Sequence, residues 1–251
     1  MAQSVHRALL CMFKPCLVVP VYRHAGEFKA FAKRLPEGIP VIVVDDGNTD
    51  EEVRLLESIG HPLLRLPRNQ GKTAAVLAGM KKAMDEGYTH ALQIDADGQH
   101  NPDDIERFLQ KAQDYPQALI NSCPIYDESA PKLRVFGRRI TNFWVRLETG
   151  DKSIKDAMCG FRVYPLAAMK PILKAGIVFH RMGGDIEMLV RASWHNILVL
   201  NLGTKVIYPK GAVSNFSMLK DNLGISALHT MLVFTKIKKL FFGGKNDQRG
   251  N

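Results

Sequence analysis

The sequence contains few cysteines, no long apolar run and a deficit of acidic residues, and each shortage excludes or favours a class of protein. The 4 cysteines form no C-x-x-C pair, which argues against a disulfide framework or a cysteine-bound metal and favours a reducing compartment. No segment approaches the ~20 apolar residues of a membrane-spanning helix, so we expect a soluble or peripheral protein. With 25 acidic residues against 34 Lys and Arg, the net charge of +9 favours anionic partners: nucleotide phosphates, nucleic acid or an acidic membrane surface.

Internal repeats and low-complexity linkers are also absent, and the length suits one domain with a C-terminal appendage. At 251 residues, of which 46% are hydrophobic, the chain can bury a substantial core. The apolar stretch at residues 8–13 is too short for a signal peptide. We expect an N-terminal extension over 1–14, a main domain over 15–217 with halves 15–124 and 125–217, an amphipathic helix over 218–242 and a disordered tail over 243–251.

Strand and helix signals alternate along the first half, which is typical of a mostly parallel sheet. We predict strands over 16–21, 41–44, 61–66, 88–94 and 118–122, and helices over 27–34, 50–59, 71–86 and 103–114. In the second half we predict helices over 130–148, 183–193 and 221–242, and strands over 197–202 and 204–208. The predicted fold class is α/β and Rossmann-like, with helices flanking a central sheet and an amphipathic helix at the C-terminus.

Two aspartates one residue apart, Asp95 and Asp97, follow the fourth predicted strand. The alternation of a strand would point them to opposite faces, but Gly98 and Pro102 take the chain out of the strand. Both carboxylates can then reach one ion, and such oxygen ligands bind Mg²⁺ that shares its shell with substrate phosphate. The alternative is a turn in which an aspartate caps the next helix.

Polar side chains also follow the first two predicted strands, at the sheet edge where ligands of open α/β folds bind. There Tyr22 could stack on a nucleobase, and Asp45 could accept its N–H. Arg68 and Lys72, near the start of the next helix, could bind phosphate, with solvated surface charge as the alternative. The segment is not a P-loop, because Leu66 occupies the position of its first glycine.

The order of these motifs resembles family 2 glycosyltransferases of GT-A fold, and within them the dolichyl- or polyprenyl-phosphate mannosyl and glucosyl synthases. The resemblance spans about residues 15–215 and rests on segments 18–22, 43–50, 68–72, 95–100, 156–162 and 184–191. It implies a UDP- or GDP-hexose donor, Mg²⁺ or Mn²⁺ as cofactor, and inversion at the anomeric carbon.

By position, the resemblance assigns residues to a donor site, a metal site and an acceptor site. The donor site would comprise Pro20, Tyr22, Asp45, Asp46, Arg68, Lys72, Asp95, Ala96 and Asp97. The metal would be held by Asp95, Asp97 and Gln99, and it would act as a Lewis acid on the departing nucleoside diphosphate. The acceptor or its phosphate would meet Arg162, Arg181, Lys210 and Ser214.

A hydroxyl acceptor also needs a general base, and Asp185 and Glu187 are the candidates. They are two positions apart on a predicted helix and do not share a face, so at most one points into the site. We predict that this is Asp185, which follows Gly183-Gly184. A helix cap is the alternative role for Asp185.

The acceptor segment departs from the lipid-phosphate subgroup, because Asn215 stands where a lysine is expected. A phosphate acceptor is already ionised and needs no base, whereas a hydroxyl does. We therefore predict hexose transfer to a saccharide or lipid hydroxyl in envelope glycan or glycolipid synthesis. The alternative within the same class is a polyprenyl-phosphate sugar synthase.

The last predicted helix has an apolar face and ends in basic residues. The two features together are suited to an anionic membrane surface. We expect the protein on the inner face of the cytoplasmic membrane; packing of this helix on the core is the alternative.

An alternative from another class is a protein that binds a nucleotide sugar without turnover. The retention of both Asp95 and Asp97 argues against it. We expect no nucleic-acid partner, because no nucleic-acid-binding motif is present.

Overall fold

The computed structural model describes residues 13–126, 130, 132–207 and 218–242. Its sheet consists of β1 (Pro15–Val21), β2 (Val41–Asp45), β3 (Leu63–Arg65), β4 (His90–Gln93), β5 (Leu119–Tyr126), β6 (Arg162–Pro165) and β7 (Val199–Val206). The helices in this part of the chain are α1 (Ala25–Ala32), α2 (Asp50–Glu57), α3 (Lys72–Asp85), α4 (Asp104–Asp114), α5 (Lys132–Thr149), α6 (Leu166–Ala175), α7 (Gly184–Trp194) and α8 (Met218–Phe242).

The seven strands lie in the order β3-β2-β1-β4-β6-β5-β7. Strand β6 is antiparallel to both of its neighbours, and every other pair is parallel. Side chains of β1 alternate between two cores: Val18 packs in the cluster that contains α3, and Leu17 and Val19 pack in the cluster that contains α1 and α4. Because helices cover both faces, the central strands are continuous apolar runs. The predicted α/β class with a mostly parallel sheet is confirmed.

Three elements differ from the sequence-based expectation. The two strands predicted over 197–202 and 204–208 are one strand, β7, because Gly203 stays in register opposite Cys123 and does not break the ladder. Strand β6 was not predicted, since it has only four residues and begins with the charged but fully buried Arg162. Helix α6 was also missed because it contains Pro171, which ordinarily interrupts a helix.

Helix α8 carries apolar side chains on two opposite sides. One side packs on the protein through Ile225, Leu228 and Leu232, which are buried. The other side leaves Leu223, Phe234, Ile237 and Phe241 exposed, at the spacing of a single helical stripe. Packing on the core, the alternative considered for this helix, therefore accounts for only one of its two faces.

Helix α5 also exposes the apolar face that its sequence predicts. Phe136, Ile140, Phe143 and Trp144 follow one another at helical spacing, and Phe143 is 62% exposed. Helices α5 and α8 pack against each other.

Within the described residues, no helix is both long enough and apolar enough to cross a membrane. Residues 1–12 and 243–251, which include most of the expected N-terminal extension and the expected disordered tail, lie outside the described part of the chain.

Candidate active site

A cavity of about 1260 Å³ opens at the carboxyl ends of β1 and β4 and continues between α5 and α8. This is the edge at which open α/β sheets bind ligands. Its two ends differ in chemistry. The sheet end is lined by charged side chains, including Asp46, Lys72, Asp95, Asp97 and Asp185. The helical end combines apolar and mostly uncharged polar side chains. The apolar ones are Phe136, Ile140, Trp144, Ile225, Val233 and Phe234, and the polar ones are Arg138, Thr141, Asn222, Ser226, His229 and Thr230.

Asp46 holds the loop that leads into α3. Its carboxylate accepts hydrogen bonds from the backbone N–H groups of Gln70 (2.7 Å) and Gly71 (2.9 Å) and from the side-chain amide of Asn69 (3.0 Å). Burial raises the pKa of Asp46, and the two backbone N–H groups oppose that rise. The carboxylate thus determines the path of the loop at the cavity wall.

The start of α3 is joined to the loop that precedes α7. The Thr73 backbone N–H donates to the His180 carbonyl (2.8 Å), and the Thr73 hydroxyl donates to the Arg181 carbonyl (2.7 Å). Gly71, with φ of +99°, leaves room for the His180 carbonyl that a side chain would fill. These contacts place the first turn of α7 beside Lys72.

Lys72 connects the two acidic parts of the site. Its ammonium nitrogen lies 2.8 Å from Oδ2 of Asp95 and 3.1 Å from Oδ2 of Asp185. Burial alone would lower the pKa of Lys72, but the two carboxylates outweigh it and raise that pKa above its ordinary value. Lys72 is therefore a charged, mostly buried counter-ion and not a solvated surface lysine. Arg68, in contrast, is exposed and does not line the cavity.

The carboxylates of Asp95 and Asp97 lie in different electrostatic environments. Burial would raise the pKa of Asp95, but the charges of Lys72 and His100 overcome it, and the pKa lies below its ordinary value. Burial and the neighbouring Asp95 charge raise the pKa of Asp97. Burial also lowers the pKa of His100, whose ring stacks on Phe161. Asp95 is thus the more readily ionised of the two carboxyl groups.

Asp95, one of the three predicted metal ligands, has a carboxylate oxygen that fits a divalent cation. Oδ1 of Asp95 is buried and has no hydrogen-bond partner among the described residues. Gly160 lies opposite, and a Cβ there would come within 2.8 Å of both Asp95 oxygens. Asp97 and Gln99 line the same wall, where Asp97 Oδ1 accepts the Gln99 backbone N–H (3.1 Å). Such a set suits a cation that takes its remaining ligands from a diphosphate. In the described part of the chain, His, Cys, Asp and Glu side chains nowhere form a cluster of three or more that could hold a metal ion by itself.

Asp185 and Glu187 point in different directions, as their spacing on α7 requires. Asp185 lines the cavity, and its Oδ1 accepts a hydrogen bond from the side-chain amide of Gln93 (3.1 Å), which Tyr164 in turn contacts (3.3 Å). Glu187 is fully buried; it accepts the backbone N–H groups of residues 178 and 179 and pairs with Arg191 (2.6 Å). Glu187 thus stabilises the loop before α7, and Asp185 alone of the two reaches the cavity.

The remaining predicted site residues are divided between the cavity wall and its supports. Pro20, Tyr22, Ala96 and Arg181 line the cavity. Asp45 instead holds the turn after β2, where it accepts from the backbone and side chain of Asn48 (both 2.8 Å). Arg162 lies behind the wall and donates to the Asp185 carbonyl (2.6 Å). Lys210 and Ser214 lie outside the described residues.

The polar residues around the cavity that sequence reasoning missed include Gln93, Tyr164, Glu148 and His229. All four are buried. The available signal was a polar residue inside an apolar strand or helix, which ordinarily indicates a hydrogen-bonded interior position. Such a residue in the sequence does not indicate which other side chain it will contact in the folded protein.

A search of known proteins identifies the family. The profile of Glycosyl transferase family 2 matches residues 16–171. The chain belongs to glycosyl transferase family 2. The resemblance predicted from the motifs is thereby confirmed, and the protein is a glycosyltransferase.

Several relatives of this family 2 glycosyltransferase carry names that state an activity, and two of them come from an archaeon and a mycobacterium. The UDP-N-acetylglucosamine–dolichyl-phosphate N-acetylglucosaminyltransferase of Methanococcus voltae is 23% identical over 214 residues, which cover 76% of this chain and 85% of the relative. The polyprenol monophosphomannose synthase of Mycolicibacterium smegmatis is 24% identical over 168 residues, which cover 62% of this chain and 63% of the relative.

Solved structures resemble this glycosyltransferase over most of its length. One is glucosyl-3-phosphoglycerate synthase from Mycobacterium tuberculosis, in complex with Mn²⁺, UDP and phosphoglyceric acid. The match has a TM-score of 0.65 at 16% identity and covers 93% of this chain and 81% of that chain. At this identity the likeness shows the fold alone, which is the GT-A fold that the motif resemblance implied.

Replacement of Lys72 by methionine removes the cation between Asp95 and Asp185 and leaves two carboxylates facing each other. Breaking a buried ion pair by removing one partner is strongly destabilising, and we expect Lys72→Met to lower the free energy of unfolding by about 3 kcal/mol in urea denaturation. The matched control is Lys81→Met, on the exposed side of α3, for which we expect a change within about 0.5 kcal/mol. Equal effects of the two substitutions would contradict a counter-ion role for Lys72.

Proposed function

We propose that this glycosyltransferase moves a hexose from a UDP- or GDP-sugar to a hydroxyl group of a saccharide or lipid acceptor, with inversion at the anomeric carbon. The observation that carries the proposal is the position of Lys72 between Asp95 and Asp185. The aspartate of the acidic motif and the candidate base both contact one ammonium group. They are therefore separated by at most two hydrogen-bond lengths, which is the proximity that direct transfer between two substrates requires.

On this proposal the donor occupies the charged end of the cavity. Tyr22 would face the nucleoside from the end of β1, and Asp46 would keep the loop before α3 in place beneath it. Asp95 and Asp97, with Gln99, would hold Mg²⁺ or Mn²⁺, which when bound supplies Lewis-acid stabilisation of the departing diphosphate. Lys72 would add a second positive charge beside Asp95. The solved synthase with Mn²⁺ and UDP supports this reading, since its fold is the same.

Asp185 would act as the general base for the acceptor hydroxyl. Gln93 and Lys72 contact its two carboxylate oxygens, so that its orientation is determined before a substrate enters. A base held in this way can accept a proton without first reorganising. The Asp185 carboxylate lines the cavity, where an acceptor can reach it.

A polyprenyl-phosphate sugar synthase is the second candidate. The apolar side chains at the helical end of the cavity favour it, together with the names of the two relatives. A phosphate acceptor is ionised already and requires no base. The two candidates therefore differ in what they demand of Asp185.

Helices α5 and α8 would dock this glycosyltransferase on the inner face of the cytoplasmic membrane. Four of their exposed apolar side chains line the cavity, namely Phe136, Ile140, Trp144 and Phe234. Lys238 and Lys239 are exposed in the last turns of α8. Apolar and basic groups together are suited to an anionic lipid surface. A lipid acceptor would then enter from the membrane directly between the two helices, in envelope glycan or glycolipid synthesis.

The substitution Asp97→Asn tests the donor and metal assignment. We expect wild-type protein to melt at a higher temperature with one class of UDP- or GDP-sugar plus Mn²⁺ and to lose this shift with chelator, because a ligand of the native state stabilises it by mass action. In Asp97→Asn the metal-dependent shift should disappear, whereas Asp103→Asn, at an exposed position, should keep it. An unchanged shift in Asp97→Asn would remove Asp97 from the metal site.

The substitution Asp185→Asn separates the two acceptor candidates. We expect it to leave the donor-induced thermal shift intact and to slow transfer to a hydroxyl acceptor by about 10²–10⁴-fold, the usual contribution of a general base. Transfer of a radiolabelled hexose is measured with a hydroxyl acceptor and, separately, with a polyprenyl phosphate acceptor. Wild-type rates with a polyprenyl phosphate acceptor would support the second candidate, and wild-type rates with a hydroxyl acceptor would leave Asp185 a structural role.

Vesicle co-sedimentation tests the membrane face. We expect binding to phosphatidylglycerol vesicles and weaker binding to phosphatidylcholine vesicles. The double substitution Leu240→Ser and Phe241→Ser should weaken binding at least about tenfold, since each buried apolar side chain contributes about 1.5–3 kcal/mol. Leu198→Ser, which also alters an exposed apolar side chain but lies away from these helices, is the control. Equal binding by all three proteins would contradict docking through α8.

A further inference from the structure

A buried acid–histidine pair lies between α5 and α8. Glu148 of α5 is fully buried, and its Oε1 lies 2.7 Å from Nδ1 of His229 on α8, whose side chain is 9% exposed. Two atoms of the pair, Oε2 of Glu148 and Nε2 of His229, have no hydrogen-bond partner within the described residues. Buried polar atoms are almost always paired, so an unpaired nitrogen here requires an explanation.

His229 lines the helical end of the cavity, at some distance from the charged end. Residues of α8 that face the cavity follow at helical spacing and include Asn222, Ile225, His229 and Val233. At 1.5 Å per residue, His229 lies about 10 Å along the helix from Asn222. The ring of Trp144, which also lines the cavity, is 6.3 Å from the imidazole ring. The lining around the pair also includes the hydroxyl side chains of Ser226 and Thr230, so the pair lies among both apolar and polar groups.

The contact with Glu148 determines which histidine nitrogen is available. Because the carboxylate accepts from Nδ1–H, Nε2 is the nitrogen without a partner among the described residues. Nε2 is itself buried in this structure, so a ligand in the groove would reach it only after a small shift of the ring or its neighbours. A hydroxyl group suits Nε2 in either protonation state, because it can donate to the bare nitrogen or accept from Nε2–H. A phosphate would lie near the buried Glu148 carboxylate, and a hydrocarbon chain offers no partner at all.

We propose that Glu148 and His229 form a binding site for a hydroxyl group of the acceptor, in a groove where the apolar part of the same molecule lies between α5 and α8. This inference rests on the proposed function, because it takes the occupant of the groove to be the acceptor. In this assignment His229 binds the hydroxyl group and orients the acceptor, and Asp185 remains the general base. The site distinguishes a hydroxylated amphiphile from a plain polyprenyl chain, which would leave Nε2 unpaired.

The test uses octyl β-glucoside, below its micellar concentration, as a hydroxylated amphiphile. Binding is followed by the fluorescence of Trp144 in a Trp194→Phe background, so that neither donor nor turnover is needed. The comparison is between His229→Asn, whose short amide can still reach Glu148, and His229→Gln, whose longer amide extends towards the position of Nε2. Melting temperatures of all variants are measured alongside.

We expect His229→Asn to weaken octyl β-glucoside binding about three- to tenfold, the loss of one hydrogen bond, with little change in melting temperature. His229→Gln should retain more of the binding and lose more of the stability. If instead the variant with the lower melting temperature also binds octyl β-glucoside more weakly, the pair only holds the two helices together. Absence of binding by the wild type, or His229-dependent binding of decyl phosphate in place of the glucoside, would overturn the assignment. Donor-induced thermal shifts report separately on the proposed function.

Discussion

The ammonium group of Lys72 lies between two carboxylates that come from different halves of the chain, Asp95 after β4 and Asp185 in the first turn of α7. Without this cation, the buried Asp185 carboxylate would face the partly buried Asp95 carboxylate, at a high electrostatic cost. The rest of the site is arranged around it. Asp46 holds the loop before α3, and Thr73 bonds the loop before α7, so that all three elements meet at one point.

The cavity continues from this charged centre into a groove between α5 and α8 that is lined by both apolar and polar side chains. The charged end suits a nucleotide diphosphate and a metal ion, whereas the groove between α5 and α8 suits the apolar part of an acceptor. The same two helices expose apolar side chains outwards. An acceptor that is amphiphilic would then find its apolar part, its hydroxyl group and the reacting centre in one continuous path. The pair Glu148 and His229 marks a polar point on that path.

Much of the fold was predictable because its signals are local. The alternation of apolar strands with helices predicts a parallel sheet, and polar residues after β1, β2 and β4 indicate the edge at which the cavity opens. Strand β6 could not be found in this way. Its four residues begin with Arg162, a side chain that a strand core rarely accepts. In the folded protein its buried guanidinium donates to the Asp185 carbonyl.

The sequence by itself determined the family, the edge of the sheet that carries the site and the presence of the acidic motif, since each depends on residues that are close together in the chain. Only the tertiary structure decided the roles within the site. Lys72 rather than Arg68 is the buried cation, Asp185 rather than Glu187 reaches the cavity, and Asp45 supports a turn. These outcomes depend on contacts between distant segments, and the charge or polarity of a residue does not reveal which distant partner will bury it.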